Sequence, residues 1–273
     1  WFQSNYASAG GTLSSNGYNE TIDLSNNRFD IFSSTDSTVS DYWVKLGEAS
    51  AVYSGSSGDS EFQYEDVFVN PDPAIGNDEG TGEESSPYRT IGHAVSKGLG
   101  RDGDPFIIYL SEGVYNTGSG EVFPIQLPSY VSLIGAGIDQ TFIDADLSNN
   151  VFYFDNVVGC TLEGLTITGG NAENTINYHV NGAGGGVIGI ESEISFIEVR
   201  VASNHSNTFG GGLFLNECNV EFNSVIIENN EFTLAAGGLF LWNTSILMDQ
   251  SIVRENYSGG GAGMMLKDCE FDI

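Results

Sequence analysis

Gly210-Gly211-Gly212-Leu213-Phe214-Leu215-Asn216-Glu217-Cys218-Asn219-Val220-Glu221-Phe222 is answered one repeat later by Ala236-Gly237-Gly238-Leu239-Phe240-Leu241-Trp242-Asn243-Thr244-Ser245-Ile246-Leu247-Met248. The same register extends outward in both directions. Gly186, Gly212, Gly238 and Gly263 recur at a nearly constant interval of about 26 residues, a length that suits one turn of a solenoid. Val187, Leu213, Leu239 and Met264 form one apolar row, and Ile194, Val220, Ile246 and Phe271 a second. Phe196, Phe222, Met248 and Ile273 form a third, so each repeat carries short strands with period-2 alternation and no helical periodicity. Asn204, Asn230 and Asn256 coincide at a turn, where their amides are expected to hydrogen-bond along the stack. The expected fold is all-β: a parallel β-helix of about 26 residues per coil, each coil burying its faces against its neighbours.

Composition narrows the functional classes. Against 8 Lys plus Arg stand 37 Asp plus Glu, a formal net charge of -29, which repels nucleic acid and acidic lipid surfaces. Cys160, Cys218 and Cys269 lack the spacing of a metal or redox motif and read as small core residues. No apolar run is long enough to span a bilayer. Ile273 falls inside a repeat strand with no polar cap after it, so the chain reads as an internal piece of a larger protein.

Four segments follow from the pattern. Residues 1–32 contain Thr21-Ile22-Asp23-Leu24-Ser25-Asn26-Asn27, which is like Val225 to Asn230 and reads as the last coil of a preceding β-helix. Residues 33–65 read as a connecting or capping β segment. Residues 66–130 hold a strand at Asp66 to Asn70, an acidic loop, a short amphipathic helix within 87–98 that caps the first coil, and that coil's strands. Residues 131–273 are the coils. An excess of about 8 residues between Leu165 and Val199, relative to the period of the coils, places a loop insertion at 171–183.

Several local motifs are more specific. Asp66-Val67-Phe68-Val69-Asn70, Gly76-Asn77-Asp78, Ser86-Pro87-Tyr88-Arg89-Thr90-Ile91, Glu112-Gly113-Val114-Tyr115 and Val131-Ser132-Leu133-Ile134-Gly135 resemble the amino-terminal signature of secreted bacterial right-handed β-helix proteins of the pectin-lyase-like superfamily. The resemblance continues through Leu162-Glu163-Gly164-Leu165-Thr166-Ile167 and the Gly-Gly repeats, covering residues 66–273. It implies the right-handed fold and an extracellular setting.

The lyases of that superfamily use calcium held by aspartates, with an Arg or Lys that draws a proton beside a uronate carboxylate. The corresponding candidates here are Asp144, Asp146 and Asp155 for calcium. Arg200, Arg254 and Lys267 are the only cations after Arg101, and none falls in a matching motif. No cofactor is required, and calcium at these aspartates is the one candidate. His93, His179 and His205 stand at no ligand spacing.

Ile188, Phe214, Phe240 and Met265 occupy the outward parity of the strand after each Gly pair, with Trp242 alongside. Such a row is either covered by the chain itself or forms a contact surface for another chain or for sugar rings. The balance favours a non-catalytic extracellular structural or adhesive module of a cell-surface or filament-forming protein. Its partners would be other copies or segments of the parent protein, and glycans. A calcium-dependent polysaccharide lyase or glycan-binding β-helix is the alternative.

Overall fold

A computed structural model describes residues 66–98, 100–172, 182–232 and 236–272, together with six short strands between residues 13 and 59. The chain from residue 66 onward is a parallel β-solenoid, as the period predicts. A five-stranded sheet stacks Phe152–Asp155, Val187–Ile190, Leu213–Asn216, Leu239–Trp242 and Met264–Lys267. Its register pairs Val187 with Leu213, Leu213 with Leu239 and Leu239 with Met264, the row the repeat specifies. A twelve-stranded sheet runs from Val67–Val69 to Glu270–Asp272, and a three-stranded sheet joins His205–Ser206, Glu231–Phe232 and Tyr257–Ser258. Across the insertion Leu165 pairs with Val199, so the extra residues leave the register intact.

The coils turn their corners through left-handed backbone. Glu191, Glu217, Asn243 and Asp268 mark one corner, Glu198, Ser224 and Gln250 a second, and Ser203, Asn229 and Glu255 a third, all with φ between 45° and 58°. The inward rows, including Val187, Leu213, Ile194, Val220, Phe196 and Phe222, are buried in one continuous core. Phe196 and Phe222 meet edge to face at 5.1 Å.

The Asn row is a buried ladder. Asn204 Nδ2 donates to Asn230 Oδ1 at 3.0 Å, and Asn230 Nδ2 donates to Asn256 Oδ1 at 3.0 Å. Each oxygen also accepts the backbone N–H of the preceding coil's Asn, at 3.1 and 3.0 Å. The ladder explains one glycine of each pair: a Cβ on Gly212 would lie 3.0 Å from Asn230. The other glycine is pressed by backbone, since a Cβ on Gly211 would collide with the carbonyl oxygens of both Glu231 and Gly237.

The cap helix is shorter than the pattern predicts, spanning Ile91–Val95 only. Thr90, extended at φ -117°, ends it on one side by accepting from the His93 N–H, and Ser96 closes the other. Residues 82–88 complete the cover. Phe68 N donates to Gly82 O, Tyr88 N to Phe68 O and Asn70 N to Tyr88 O, which occupies the free edge of Val67–Val69.

In the amino-terminal segment Leu13–Asn16 pairs with Tyr42–Lys45, Thr21–Asp23 with Ser50–Val52 and Arg28–Ile31 with Ser57–Asp59, all parallel. The register starts at Leu13↔Tyr42, Thr21↔Ser50 and Arg28↔Ser57, so the offset is the same each time (42 − 13, 50 − 21 and 57 − 28 agree); Leu133↔Leu162 repeats it, and Val187↔Leu213 is slightly shorter. Residues 33–65 thus hold strands that answer those of 1–32. The remainder of both segments, including Leu24 to Asn27, lies outside the described residues.

Candidate functional site: an acidic groove along one corner

The corner between the five-stranded and twelve-stranded sheets opens into a groove of about 510 Å³. Glu191, Glu217 and Asp268 stand on it at successive left-handed positions, with Asn243 between them and Glu193 and Glu270 beside them. The corner backbone is paired from coil to coil: the N–H groups of Glu191, Glu217 and Asn243 donate to Asn216, Trp242 and Lys267 carbonyls at 2.9 Å each. The polar floor is paired as well. Thr244 Oγ1 donates to Trp242 O at 2.9 Å and accepts from Cys218 N at 3.3 Å, while Cys218 Sγ lies 3.3 Å from Asn216 O. Burial pushes the Cys218 thiol up to about 11, and the charges of Glu191 and Glu217 add to the rise, so it is not a nucleophile at neutral pH.

Five carboxylates line this groove with no cation among its lining residues. They make a negative field that draws cationic groups and repels uronates. Among the described residues no three of His, Cys, Asp and Glu are grouped to hold a metal ion. The repeat of Glu191, Glu217 and Asp268 is visible in the sequence. Its significance depends on the corner's outward turn, which spacing alone does not give.

The three candidate calcium aspartates do not converge. Asp144 closes Thr141–Asp144 in the twelve-stranded sheet, and its Oδ1 accepts the Asp146 N–H at 2.9 Å. Asp146 turns toward the 116–117 loop, accepting from Thr117 N at 3.1 Å and from the Thr117 hydroxyl. Asp155 closes Phe152–Asp155 in the five-stranded sheet, where its oxygens accept from Tyr153 Oη at 3.1 Å and Asn156 Nδ2 at 2.9 Å. The first two are turn-forming carboxylates and the third belongs to a different face.

The arginines are consumed by pairing. Glu228 lies between them, with Arg254 Nη2 at 2.7 Å on one oxygen and Arg200 Nε at 3.4 Å from the other. Arg200 also donates to Asp139 at 2.7 Å, tying the turn before Thr141 to the sheet face. Glu228 holds the Arg254 guanidinium above its ordinary value, which removes it further from service as a base. Lys267 places its ammonium 3.9 Å from the Trp242 ring centroid.

The outward apolar row is largely covered by the chain itself, which corrects its reading as a contact surface. Ile188, Phe214 and Phe240 are buried in a second small core with Tyr153, Ala183 and Ala236. Phe209 folds over them, its ring 4.8 Å from Phe240 and 5.9 Å from Phe214. Trp242 is half-buried, and Met265, 43 % exposed, is the one member of the row open to solvent. Ala183, the last residue of the insertion, takes part in this cover; residues 173–181 lie outside the described residues.

Comparison with solved structures finds similarity to a pectin methylesterase in complex with hexasaccharide VII, at 10 % identity and a TM-score of 0.38, covering 70 % of this chain and 67 % of that one. Pectin methylesterase from carrot is 12 % identical with a TM-score of 0.38, over 69 % of this chain and 65 % of that one. PemA from Erwinia chrysanthemi is 11 % identical with a TM-score of 0.36, over 70 % and 68 %. No curated protein matches the sequence. The model of one family, described as protein of unknown function (DUF1565), matches residues 74–260, and the chain belongs to that family.

Proposed function

We propose that this chain is a non-catalytic, extracellular structural or adhesive module within a larger cell-surface or filament-forming protein. The observation that carries the reading is the tandem arrangement of repeats. Strands paired in parallel from one coil to the next precede the cap, and parallel coils follow it. Paired parallel strands before and after a capping segment in the chain fit the organisation of a modular rod, in which each coil adds length by contacting only its neighbours. The corner groove supports an adhesive variant directed at cationic partner groups, because its exposed charges are all of one sign. No helix among the described residues is long and apolar enough to cross a membrane. The calcium-lyase alternative receives less support, since Asp155 stands on a different sheet from Asp144 and Arg200 and Arg254 pair with Glu228.

The test is the mass and assembly of the native protein, by denaturing gel and electron microscopy of source material. A chain much longer than 29.2 kDa, seen in fibres or a surface layer, is expected. A discrete soluble monomer of this mass would overturn the structural reading. Release of unsaturated products from an acidic polysaccharide with calcium would overturn the non-catalytic one.

A further inference from the structure

Five successive backbone N–H groups at the start of the cap, Arg89 through His93, are all accepted by side chains. Asp78 Oδ1 accepts Arg89 N at 2.7 Å and Thr90 N at 2.9 Å, and its Oδ2 accepts the Thr90 hydroxyl at 2.9 Å. Glu121, arriving from beyond the first coil's strands, accepts Ile91 N at 2.6 Å and Gly92 N at 3.2 Å. Thr90 Oγ1 takes His93 N at 3.2 Å. Two carboxylates from segments far apart in the chain thus clasp one turn.

Glu121 is the unusual member of the clasp. It is 4 % exposed, it forms no ion pair among the described residues, and a second carboxylate, Asp78, faces the same turn. Burial without a countercharge, beside a like charge, favours the neutral acid.

We propose that the Asp78–Glu121 clasp is a proton-operated latch on the amino-terminal cap: protonated Glu121 holds the cap helix closed, and loss of that proton loosens it. The helix covers the end of the first coil, so the latch governs how readily that end opens.

The electrostatics agree in sign. Burial pushes the Glu121 carboxyl up to about 7 even against its two backbone hydrogen bonds, and the Asp78 charge adds to the rise. Neither His93 nor Tyr115 titrates in that window. Burial and Lys97 hold His93 down to about 3, so it stays neutral, and burial and the Glu121 charge push Tyr115 up, so it keeps its proton. A raised acid stabilises the closed state fully below its ordinary value of 4.5, and that contribution is lost as pH rises toward about 7.

Amide hydrogen exchange of the full chain tests the latch, with Ile91 and Gly92 corrected for intrinsic rate and referred to Leu213–Asn216. The opening equilibrium at the cap is expected to grow about tenfold per pH unit between about 4.5 and 7 and then level off. Protection that is flat or rises with pH overturns the proposal. Glu121→Gln keeps an acceptor for Ile91 and cannot ionise, so its cap should show no pH dependence; a wild-type slope retained in that variant also overturns it. Should the variant fail to fold, a carbon-detected NMR titration of the wild-type Glu121 carboxyl decides. A midpoint near 7 supports the latch, and a midpoint in the ordinary glutamate range refutes it.

Discussion

Two corners of the same coil use the same backbone turn for opposite purposes. At the Asn204–Asn230–Asn256 corner the left-handed residues Ser203, Asn229 and Glu255 precede asparagines that point inward and bond from coil to coil. At the Glu191–Glu217–Asn243–Asp268 corner the left-handed residues themselves face the groove, and three of the four carry a negative charge. Translation makes both effects repetitive, because whatever one coil does to its neighbour is done again at each step. The amide ladder therefore accumulates stability, whereas the acidic corner accumulates mutual repulsion of order ~1 kcal/mol or less per exposed pair. The first corner holds the solenoid together; the second is a surface kept in spite of its energetics.

The most severe way to break the ladder corner is Gly211→Ala. The atoms that a Cβ would strike are backbone atoms of Glu231 and Gly237, so no side-chain rotation relieves the clash. A loss of roughly 3–5 kcal/mol is expected in urea unfolding. A loss below about 1 kcal/mol would show that the coils separate easily at this point and that the corner is less tightly stacked than its geometry implies.

Asn230→Ala attacks the same corner through hydrogen bonding. It leaves Asn204 N, Asn204 Nδ2, Val201 O and Asn256 Oδ1 each without the partner that Asn230 supplies. At about 1 kcal/mol for each hydrogen bond lost, the expected loss is roughly 3–4 kcal/mol, read as a shift of the denaturation midpoint at unchanged slope. If the variant unfolds like the wild type, water enters the ladder and the amides specify the turn without holding it.

How much of this was legible follows from what each feature depends on. The coil depends on translation, and translation writes itself into the sequence as a period: the rows of Leu213 and Phe222 and the row of Asn230 all lie where the repeat puts them. The cap helix depends on side-chain capping by Thr90 and Ser96, which an apolar face does not reveal, so 87–98 overstates a helix of Ile91–Val95. The cover over Phe214 and Phe240 comes from Phe209, whose approach depends on how a connecting loop folds back. Sequence proximity groups the aspartates, but it does not place Asp144 and Asp155 on one sheet. The pairing of the amino-terminal strands was hidden for another reason: Leu13 faces Tyr42 and Arg28 faces Ser57, so backbone register there is not accompanied by matching residue types.

The smallest effect sharpens the contrast from the acidic side. Glu217 holds φ 55°, a conformation that a side chain adopts at a cost of about 1 kcal/mol and glycine adopts freely. Glu217→Gly also removes a charge that lines the groove with Glu191 and Asp268. The variant is therefore expected to be more stable than the wild type by roughly 0.5–1 kcal/mol, with a higher Tm. Salt separates the two causes, because screening weakens repulsion and leaves backbone strain untouched. The stabilisation should shrink at high salt by the electrostatic share alone. A destabilised variant would mean that Glu217 makes a favourable contact in the corner, and the groove would then be a structural element rather than a surface maintained against repulsion.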